Sequence, residues 1–514
     1  MATGKVYLIG GGPGDPGLLT LRGREILARA DVVVYDFLAN EALLEHARPD
    51  AEVIFMGKRG GGATRPQAAI NALLVDRARA GRIVARLKGG DPVLFGRGGE
   101  EALALADAGV PFEIVPGISS ALAVPAYAGI PVTHRDLASS VAIVTGHEDP
   151  EKGESLVDWA RIAPGTGTLV ILMATAFLDR IAAALINGGR APSTPAAVIR
   201  WGTRPSQQTV VAPLSEIARA VLVAGIGPPT VFLVGEVARL RERLRWFEEK
   251  PLFGRRVLVT RARMQAGALA ERLRDVGAEV IGFPVIAFRD PEDWGPLDRA
   301  IVALAEYDGV LFTSANAVDR FLDRLDQAGR DTRALAGRTI GAIGSETAAA
   351  LARRGLRADV VPEDFVAEAL ADALAARMPL GGKRFLLPRA RDAREALPER
   401  LVRAGARCDV VEAYRTVPPE GAGARLEALL AEGIDVVTFT SSSTVRNFTD
   451  LLPERKAASM LAGTVVACIG PITAQTALER GIKADVVAPA YTAADLTRAI
   501  VSHFQAAQVP KGLG

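Results

Sequence analysis

Three segments rich in glycine, proline and aspartate occur in the first quarter of the chain. They occupy residues 8–20, 86–101 and 115–121, and an apolar run typical of a buried strand leads into each. Loops at the carboxyl ends of parallel strands face one crevice of an α/β sheet, and glycine lets the backbone come close to a ligand there. The spacing therefore predicts a small-molecule site formed largely by main chain.

The first of these segments has some features of a dinucleotide-binding loop. Three glycines beginning at Gly12 have the spacing of the dinucleotide fingerprint, and Asp36 follows roughly 20 residues later, after a second apolar run. Two prolines remove amide protons that would face a pyrophosphate, and Asp15 places negative charge there. A dinucleotide site is accordingly one hypothesis, and tight α/β turns without a ligand are the alternative.

The second half of the chain carries hydroxyl groups and arginines at the ends of apolar runs. Residues 313–314 and 440–443 are Thr-Ser and Thr-Ser-Ser-Ser, and arginines occupy positions 261, 263, 389 and 391. Arginine pairs with carboxylates through two parallel hydrogen bonds, so these groups suit a ligand with several negative charges. The pattern fits either a pure binding module or an enzyme whose ligand does most of the chemistry.

The elements that position these groups are duplicated. The segment around Phe312 reappears around Phe439, and residues 257–263 reappear at 385–391, a spacing of about 128 residues. Each copy alternates short β-rich runs with longer helical segments, as a parallel α/β sheet requires. We therefore expect two α/β lobes with a cleft between them.

The first half also alternates strands and helices but lacks this repeat. Its last helical stretch ends before Pro251, and a polar passage at 131–140 separates two α/β patterns within it. We predict a domain at 1–248, with subdomains at about 1–135 and 136–248, followed by a second domain at 251–510.

Composition excludes several classes of protein. The 514 residues are 49% hydrophobic and 23% charged, and the net charge is only +2, so disorder and a nucleic-acid-binding field are excluded. The sequence lacks both an apolar run long enough for a membrane span and a signal peptide. Two isolated cysteines indicate a reducing cytoplasm, and four histidines without paired spacing predict no metal site.

Residues 4–247 resemble uroporphyrinogen-III C-methyltransferase, a tetrapyrrole methylase. The family's motifs GGGPGDPGLLTLRG, RLKGGDPVLFGRGGEE and PFEIVPGISSALAVPAYAGIPVTHRD occur in the family's order and spacing. The resemblance implies S-adenosylmethionine between two subdomains in place of a dinucleotide. A sulfonium cofactor has no phosphate, so it is compatible with prolines that remove amide donors and with the negative charge of Asp15. It places cofactor contacts at Pro13, Gly89, Gly90, Asp91, Leu94, Ser119, Ser120, Met173 and Gly202.

The same resemblance assigns an acid/base pair and a substrate with eight carboxylates. Asp36 and Lys58 are the implied pair, although a helix cap and a carboxylate contact are the alternative roles. Loop arginines suited to the carboxylates are Arg59, Arg65, Arg97 and Arg135. The sequence departs from the family's usual pattern at Phe37, Gly62, Ala63 and Ala174, which affects the expected substrate side of the site.

The second half is similar to uroporphyrinogen-III synthase, through short motifs such as Val257-Leu-Val-Thr-Arg261 and Phe439-Thr-Ser-Ser442. The resemblance implies cyclisation of hydroxymethylbilane without a cofactor, in which Tyr414 helps the terminal hydroxyl to leave; a buried structural tyrosine is the alternative. Implied substrate contacts are Arg261, Ser314, Ser441 and Thr473. The family also implies one lobe at about 251–286 plus 415–510 and the other at 287–414.

We therefore predict an α/β protein, with a two-subdomain tetrapyrrole methylase fold followed by a two-lobed uroporphyrinogen-III synthase fold. The expected activity is synthesis of uroporphyrinogen III and its double methylation to precorrin-2, for sirohaem and cobalamin. A methylase fused to a module that only binds and delivers the tetrapyrrole is the alternative. We expect a cytoplasmic homodimer, joined through the methylase half, without nucleic-acid or membrane partners.

Overall fold

The computed structural model describes residues 4–57, 66–146, 157–260, 263–362, 367–391, 396–453 and 456–508. These residues form four five-stranded sheets with helices packed on them, two sheets in each half of the chain. The predicted α/β class is confirmed. Among the described residues, the helices are all too short or too polar to span a membrane.

The first sheet is entirely parallel, with the order β3-β2-β4-β1-β5. Its strands read as apolar runs because both faces are covered by helices or loops, and every residue of Val32–Tyr35 is buried. The strands are β1 (Lys5–Gly10), β2 (Val32–Tyr35), β3 (Glu52–Phe55), β4 (Ile83–Lys88) and β5 (Phe112–Val115). The accompanying helices are α1 (Leu21–Leu27), α2 (Gln67–Arg79), α3 (Gly98–Asp107) and α4 (Ser120–Tyr127).

The second sheet is mixed. Its strands are β6 (Val141–Thr145), β7 (Thr168–Leu172), β8 (Pro195–Arg200), β9 (Gln208–Pro213) and β10 (Thr230–Val234), in the order β6-β7-β10-β8-β9. Among its strands only β6 and β7 run parallel, and β8 and β9 form a hairpin, so the predicted alternation of strand and helix is interrupted between β8 and β9. Its helices are α5 (Trp159–Gly165), α6 (Leu178–Asn187), α7 (Ile217–Val223) and α8 (Arg241–Leu244).

Helix α4 joins these two sheets. It follows β5 of the first sheet, yet its buried Ala121 and Val124 pack against Val170, Leu172 and Val231 of the second. One continuous apolar cluster therefore fixes the second sheet against the loops that leave the first.

The second half of the chain contains two further sheets. Their strands are β11 (Arg256–Val259), β12 (Glu279–Gly282), β13 (Ala287–Arg289), β14 (Gly309–Phe312), β15 (Thr339–Ala342), β16 (Arg384–Ala390), β17 (Arg407–Val417), β18 (Val436–Phe439), β19 (Val465–Cys468) and β20 (Val486–Val487). The helices are α9 (Arg263–Asp275), α10 (Gly295–Val302), α11 (Ala315–Gln327), α12 (Ser345–Arg353), α13 (Ala367–Arg377), α14 (Ala396–Arg403), α15 (Ala422–Ala431), α16 (Ser442–Asp450), α17 (Ala457–Met460), α18 (Pro471–Glu479) and α19 (Ala493–Gln508).

The two copies of the repeat exchange strands between these sheets. The third sheet has the order β12-β11-β18-β19-β20, and the fourth has β13-β17-β16-β14-β15. Each sheet therefore combines the first two strands of one copy with later strands of the other. An aspartate at the same position of each repeat connects the exchanged strands. Asp435 accepts a hydrogen bond from the amide of Arg256 at 2.8 Å, and Asp308 accepts one from the amide of Arg384 at 2.9 Å.

Candidate functional site

The three glycine-rich loops follow β1, β4 and β5, which are neighbours in the first sheet, and they meet in main-chain contact. Gly12 and Gly90 exchange two hydrogen bonds, of 3.2 and 2.7 Å. A Cβ on Gly10 would lie 2.5 Å from the Cα of Gly117. The loops can approach this closely only because these positions lack side chains.

Asp91 locks two of the loops together. The amides of Val93 and Leu94 donate to its Oδ1 at 2.9 and 3.0 Å, and the amide of Gly117 donates to its Oδ2 at 3.0 Å. Three amide donors satisfy most of the acceptor capacity of this carboxylate. Asp91 therefore shapes the site in addition to lining it.

A cleft of about 450 Å³ lies between these loops and the ends of β7 and β8 in the second sheet. Its volume is in the range of small-molecule sites. The cleft is lined by all nine residues predicted to contact the cofactor, namely Pro13, Gly89, Gly90, Asp91, Leu94, Ser119, Ser120, Met173 and Gly202. The motifs thus bring these residues together, and their individual contacts with a ligand remain predictions.

The cleft fits a cofactor without phosphate. Its walls include the apolar side chains of Leu94, Val124 and Ile199. A Cβ built on Gly90, whose φ is +68°, would have the amide of Ser120 as its nearest neighbour, at 3.7 Å, so the main chain there borders open space. Apolar walls beside exposed main chain suit an adenosine-bearing sulfonium.

Strained backbone is concentrated around this cleft. Among the described residues, only five non-glycine residues have positive φ, with values from +48° to +69°, and these are Phe95, Arg97, Met173, Trp201 and Thr203. Four of the five line the cleft. Conformations of this kind cost about 1–3 kcal/mol each and persist only where the surrounding structure enforces them.

A chain of charged groups runs from Asp36 into the core. Arg86, on β4, donates to Asp36 Oδ2 at 3.0 Å and to Glu101 Oε1 at 3.2 Å, and Lys88 donates to the same Glu101 oxygen at 2.8 Å. Arg86, Lys88 and Glu101 are all buried. The amide of Leu38 donates to the other oxygen of Asp36 at 3.2 Å. Asp36 is therefore held at the cleft wall by the buried arginine.

Burial dominates the electrostatics of Lys88. Desolvation, together with the nearby positive charge of Arg86, lowers the pKa of this ammonium below its usual value, and Glu101 opposes the shift only in part. Sequence reasoning missed Arg86, Lys88 and Glu101. The signal was available, because two cations interrupt the apolar strand β4.

The predicted polar substrate contacts of the first half are distributed unevenly. Arg97 lines the cleft and pairs with Glu100 at 2.7 Å. Arg135 is exposed and does not line it. Lys58, Arg59, Arg65, Gly62 and Ala63 lie outside the described residues, so their predicted roles stay predictions.

Two of the family departures are visible in the structure. Phe37 lines the cleft and packs edge-on against Trp201, with ring centroids 5.8 Å apart. Ala174 is completely buried behind Met173. The aromatic pair forms a wall that the sequence pattern did not reveal.

The second half brings Tyr414 and Ser314 together. Their hydroxyl oxygens are 3.1 Å apart, and Ser314 also caps α11 by accepting from the amide of Ala317 at 3.1 Å. Tyr414 is buried, and its ring packs edge-on against Phe288. Desolvation raises the pKa of the phenol above its usual value, so it keeps its proton at neutral pH.

Two other predicted contacts of this half, Ser441 and Thr473, lie at the starts of helices that follow strands of the third sheet. Ser441 occupies the position of Ser314 in the second repeat and caps α16 by accepting from the amide of Thr444 at 3.2 Å. Thr473 is buried in the first turn of α18, beside α16. Arg261 lies outside the described residues; its repeat partner Arg389 is buried at the end of β16.

Two family models match the chain. Residues 5–218 match Tetrapyrrole (Corrin/Porphyrin) Methylases, and residues 267–498 match Uroporphyrinogen-III synthase HemD. The porphyrin biosynthesis protein HemD of Ruminiclostridium josui is 38% identical over 484 residues, which cover 94% of this chain and 95% of that protein.

Similarity to methyltransferases is higher over the first half. The S-adenosyl-L-methionine-dependent uroporphyrinogen III methyltransferase of Methanosarcina barkeri is 51% identical over 47% of this chain and 94% of its own length. A uroporphyrinogen-III C-methyltransferase of Bacillus subtilis is 41% identical over 71% of this chain and 74% of its own length.

These matches confirm the predicted fusion of two tetrapyrrole-biosynthesis enzymes. The methylase match covers all nine predicted cofactor positions, and the synthase match covers Tyr414 and Ser314. The chain therefore belongs to the tetrapyrrole methylases in its first half and to the uroporphyrinogen-III synthases in its second.

Proposed function

We propose that the second half cyclises hydroxymethylbilane to uroporphyrinogen III and that the first half transfers two methyl groups to this product, giving precorrin-2 for sirohaem and cobalamin synthesis. The observation that carries the proposal is the cleft between the two N-terminal sheets, which combines the nine cofactor positions with Asp36. Similarity to a HemD protein along 94% of the chain supports both activities on one polypeptide.

S-adenosylmethionine supplies an electrophilic methyl group on a positively charged sulfur. The residues that would hold it are the main chain of Gly89 and Gly90 and the side chains of Leu94 and Met173. Methyl transfer requires in-line placement of the accepting carbon above all. The strained loops serve this requirement, because they fix the walls of the cleft before the substrate arrives.

Asp36 is the proposed proton acceptor of the methylase. When a pyrrole carbon forms its new bond to the methyl group, the carbon–sulfur bond breaks, sulfur keeps the electron pair, and the macrocycle loses a proton. A carboxylate beside the substrate can take that proton. Arg86 holds Asp36 by a hydrogen bond of 3.0 Å, and we propose Lys58 as its partner in proton transfer.

In the synthase, Tyr414 is the proposed proton donor to the departing hydroxyl group of hydroxymethylbilane. Its raised pKa keeps the phenol protonated, and Ser314 lies within hydrogen-bond distance. Loss of hydroxide as water leaves a cation that must be shielded from solvent. Ser441, Thr473 and Arg261 are proposed contacts for the substrate's carboxylates.

We also propose the domain division 1–248 and 251–510, with synthase lobes at about 251–286 plus 415–510 and 287–414. The division of strands among the third and fourth sheets supports these lobes. A cytoplasmic homodimer joined through the methylase half completes the proposal.

The test is to incubate the purified chain with hydroxymethylbilane and labelled S-adenosylmethionine, without other enzymes, and to identify the macrocycle. We expect dimethylated type III product. Asp36→Asn should stop at unmethylated uroporphyrinogen III. Tyr414→Phe should give little type III ring from hydroxymethylbilane but normal methylation of added uroporphyrinogen III.

Two outcomes would overturn parts of the proposal. If the wild-type chain yields only type I rings but methylates added uroporphyrinogen III, the second half is the binding module that we considered as the alternative. If neither substrate is methylated, the assignment of the first half is wrong.

A further inference from the structure

A second concavity, of about 520 Å³, adjoins the cofactor cleft on the side of Asp36. It shares Asp36 and Phe37 with the cleft. Its remaining lining comes from the segment after β2, from β3 and from Arg204, in the loop between β8 and β9. A ligand in this concavity would therefore lie beside both Asp36 and Arg204, whereas the buried Arg86 does not line it.

Arg204 is held rigidly at the edge of this concavity. Its guanidinium lies 4.5 Å from the ring centroid of Trp201, a favourable cation–π contact. Trp201 and Thr203, which precede it, have φ values of +48° and +69°. Gly14 leaves room for its stem, since a Cβ there would lie 2.7 Å from Arg204 Cγ. The strained loop thus holds the Arg204 guanidinium at the edge of the concavity.

Arg204 retains unused hydrogen-bond donors. Its Nε is buried and has no hydrogen-bond partner in the described part of the chain. Its Nη2 donates only a long hydrogen bond, of 3.5 Å, to the carbonyl of Leu38. Burial lowers the pKa of the guanidinium from its usual value, although it stays charged at neutral pH. A buried donor without a partner costs free energy unless a ligand satisfies it.

The two acidic side chains in the same concavity have other partners. Asp36 accepts from Arg86 and from the amide of Leu38. Glu41 is 3.4 Å from the hydroxyl of Tyr35, which donates to it. A third acid, Glu279 on β12, also acts on Arg204 through its charge, but it lies 3.8 Å from Arg256. None of the three has a hydrogen bond to Arg204 in the described part of the chain, so its planar donor fork is available to an external carboxylate.

We propose that Arg204 binds a peripheral carboxylate of the tetrapyrrole and so sets the position of the ring relative to Asp36 and the methyl donor. The inference rests on the proposed methylase function, whose substrate carries carboxylates on every pyrrole ring. Arg204 is a substrate-binding residue of this chain that the sequence motifs did not indicate.

The test compares Arg204→Gln and Arg204→Lys with the matched control Arg190→Gln. Arg190 also has a buried Nε without a partner and a pKa lowered by burial, but it bonds the carbonyl of Thr166, away from the cleft. Initial rates of methyl transfer are measured against uroporphyrinogen III concentration, and S-adenosylhomocysteine affinity is measured by calorimetry.

We expect Arg204→Gln to raise KM for uroporphyrinogen III about tenfold or more, with a smaller fall in kcat, because it loses a charge-assisted pair. Arg204→Lys should recover part of the loss, and S-adenosylhomocysteine affinity should not change. An unchanged KM in Arg204→Gln, or an equal rise in Arg190→Gln, would overturn the inference.

A binding measurement separates this inference from the proposed function. Uroporphyrin III, the stable oxidised ring, and its octamethyl ester are titrated against each variant by fluorescence quenching. We expect Arg204→Gln to weaken uroporphyrin binding about tenfold relative to Arg190→Gln and to leave ester binding unchanged. If the wild-type chain binds uroporphyrin in this way but never methylates a ring, the proposed function fails while Arg204 stands. Equal binding by both variants would reject Arg204.

Discussion

The methylase cleft and the region around Tyr414 are built on different principles. Four of the five positive-φ non-glycine residues of the described chain line the cleft, and Asp36 is held there by Arg86, which belongs to a group of three buried charged residues. Around Tyr414, none of the described non-glycine residues has a positive φ, and the phenol oxygen lies 3.1 Å from the hydroxyl of Ser314, which caps α11. The cleft thus combines strained backbone with buried charges, whereas the region around Tyr414 combines a helix-capping hydroxyl with a buried phenol.

The contrast matches the demands of the two reactions. Methyl transfer between two bound molecules needs exact mutual placement, which rigid loops and fixed charges provide. In the synthase reaction, one substrate molecule rearranges, so the protein mainly grips carboxylates and excludes water. We therefore expect substitutions of the buried charges and close-packed glycines that support the cleft to lower stability or activity more than equivalent substitutions near Tyr414.

The largest expected effect comes from Glu101→Gln. This change removes the carboxylate shared by the two buried cations, so that Lys88 loses its salt-bridge partner and Arg86 keeps only Asp36. Breaking buried pairs typically costs about 3–5 kcal/mol. Calorimetry of the full chain should show the methylase transition moving to lower temperature. The control is the neighbouring Glu100→Gln, where the exposed pair with Arg97 contributes at most about 1 kcal/mol. Equal shifts in both variants would contradict the importance of the buried network.

A smaller effect, on cofactor affinity, is expected for Gly202→Ala. A Cβ at this position would lie 2.3 Å from Val124 Cγ1, so α4 or the cleft wall must shift, at a cost of about 1–3 kcal/mol. We expect weaker S-adenosylhomocysteine binding by calorimetry. Gly227→Ala is the control, because a Cβ there meets nothing within 4 Å. Unchanged affinity in Gly202→Ala would show that the cleft is more deformable than its backbone suggests.

Tyr414→Phe tests the site around Tyr414 and Ser314 in the second half. It removes one hydroxyl without changing the buried ring, and we expect about a tenfold fall in type III ring formation. Because burial raises the phenol's pKa, wild-type activity should show no loss from Tyr414 ionisation below the usual phenol pKa of 10.0. An alkaline loss of activity near pH 9 that disappears in Tyr414→Phe would contradict this environment.

The smallest effect is expected at the junction of the halves. Burial opposes ionisation of Glu248, but hydrogen bonds from Arg241, Gln207 and Thr209 outweigh it and lower its pKa. Its stabilising effect is therefore present above pH 4.5, the unfolded value, and is lost as pH falls through the lowered folded value. Glu248→Gln should cost about 1 kcal/mol at pH 7 and progressively less in acid. A loss independent of pH would refute the assignment.

The sequence predicted the parts of the molecule that follow from short-range pattern. The glycine loops could be placed together because consecutive motifs end neighbouring strands. The buried partner of Asp36 could not, since Arg86 is 50 residues away and only folding shows which cation meets which acid. Likewise, no local signal indicates that Arg204 faces the segment after β2, 166 residues from Leu38.

The exchange of strands between the third and fourth sheets has a consequence for biosynthesis. Asp435, which accepts the hydrogen bond from the Arg256 amide, is synthesised 179 residues after Arg256. Strand β11 therefore cannot pair with β18, its neighbour in the third sheet, until that later segment has been made. At 5–20 residues per second this interval lasts roughly 10–40 s. The methylase sheets are complete by then. On the ribosome, the methylase half should thus be folded while β11 of the synthase half still lacks its partner strand β18.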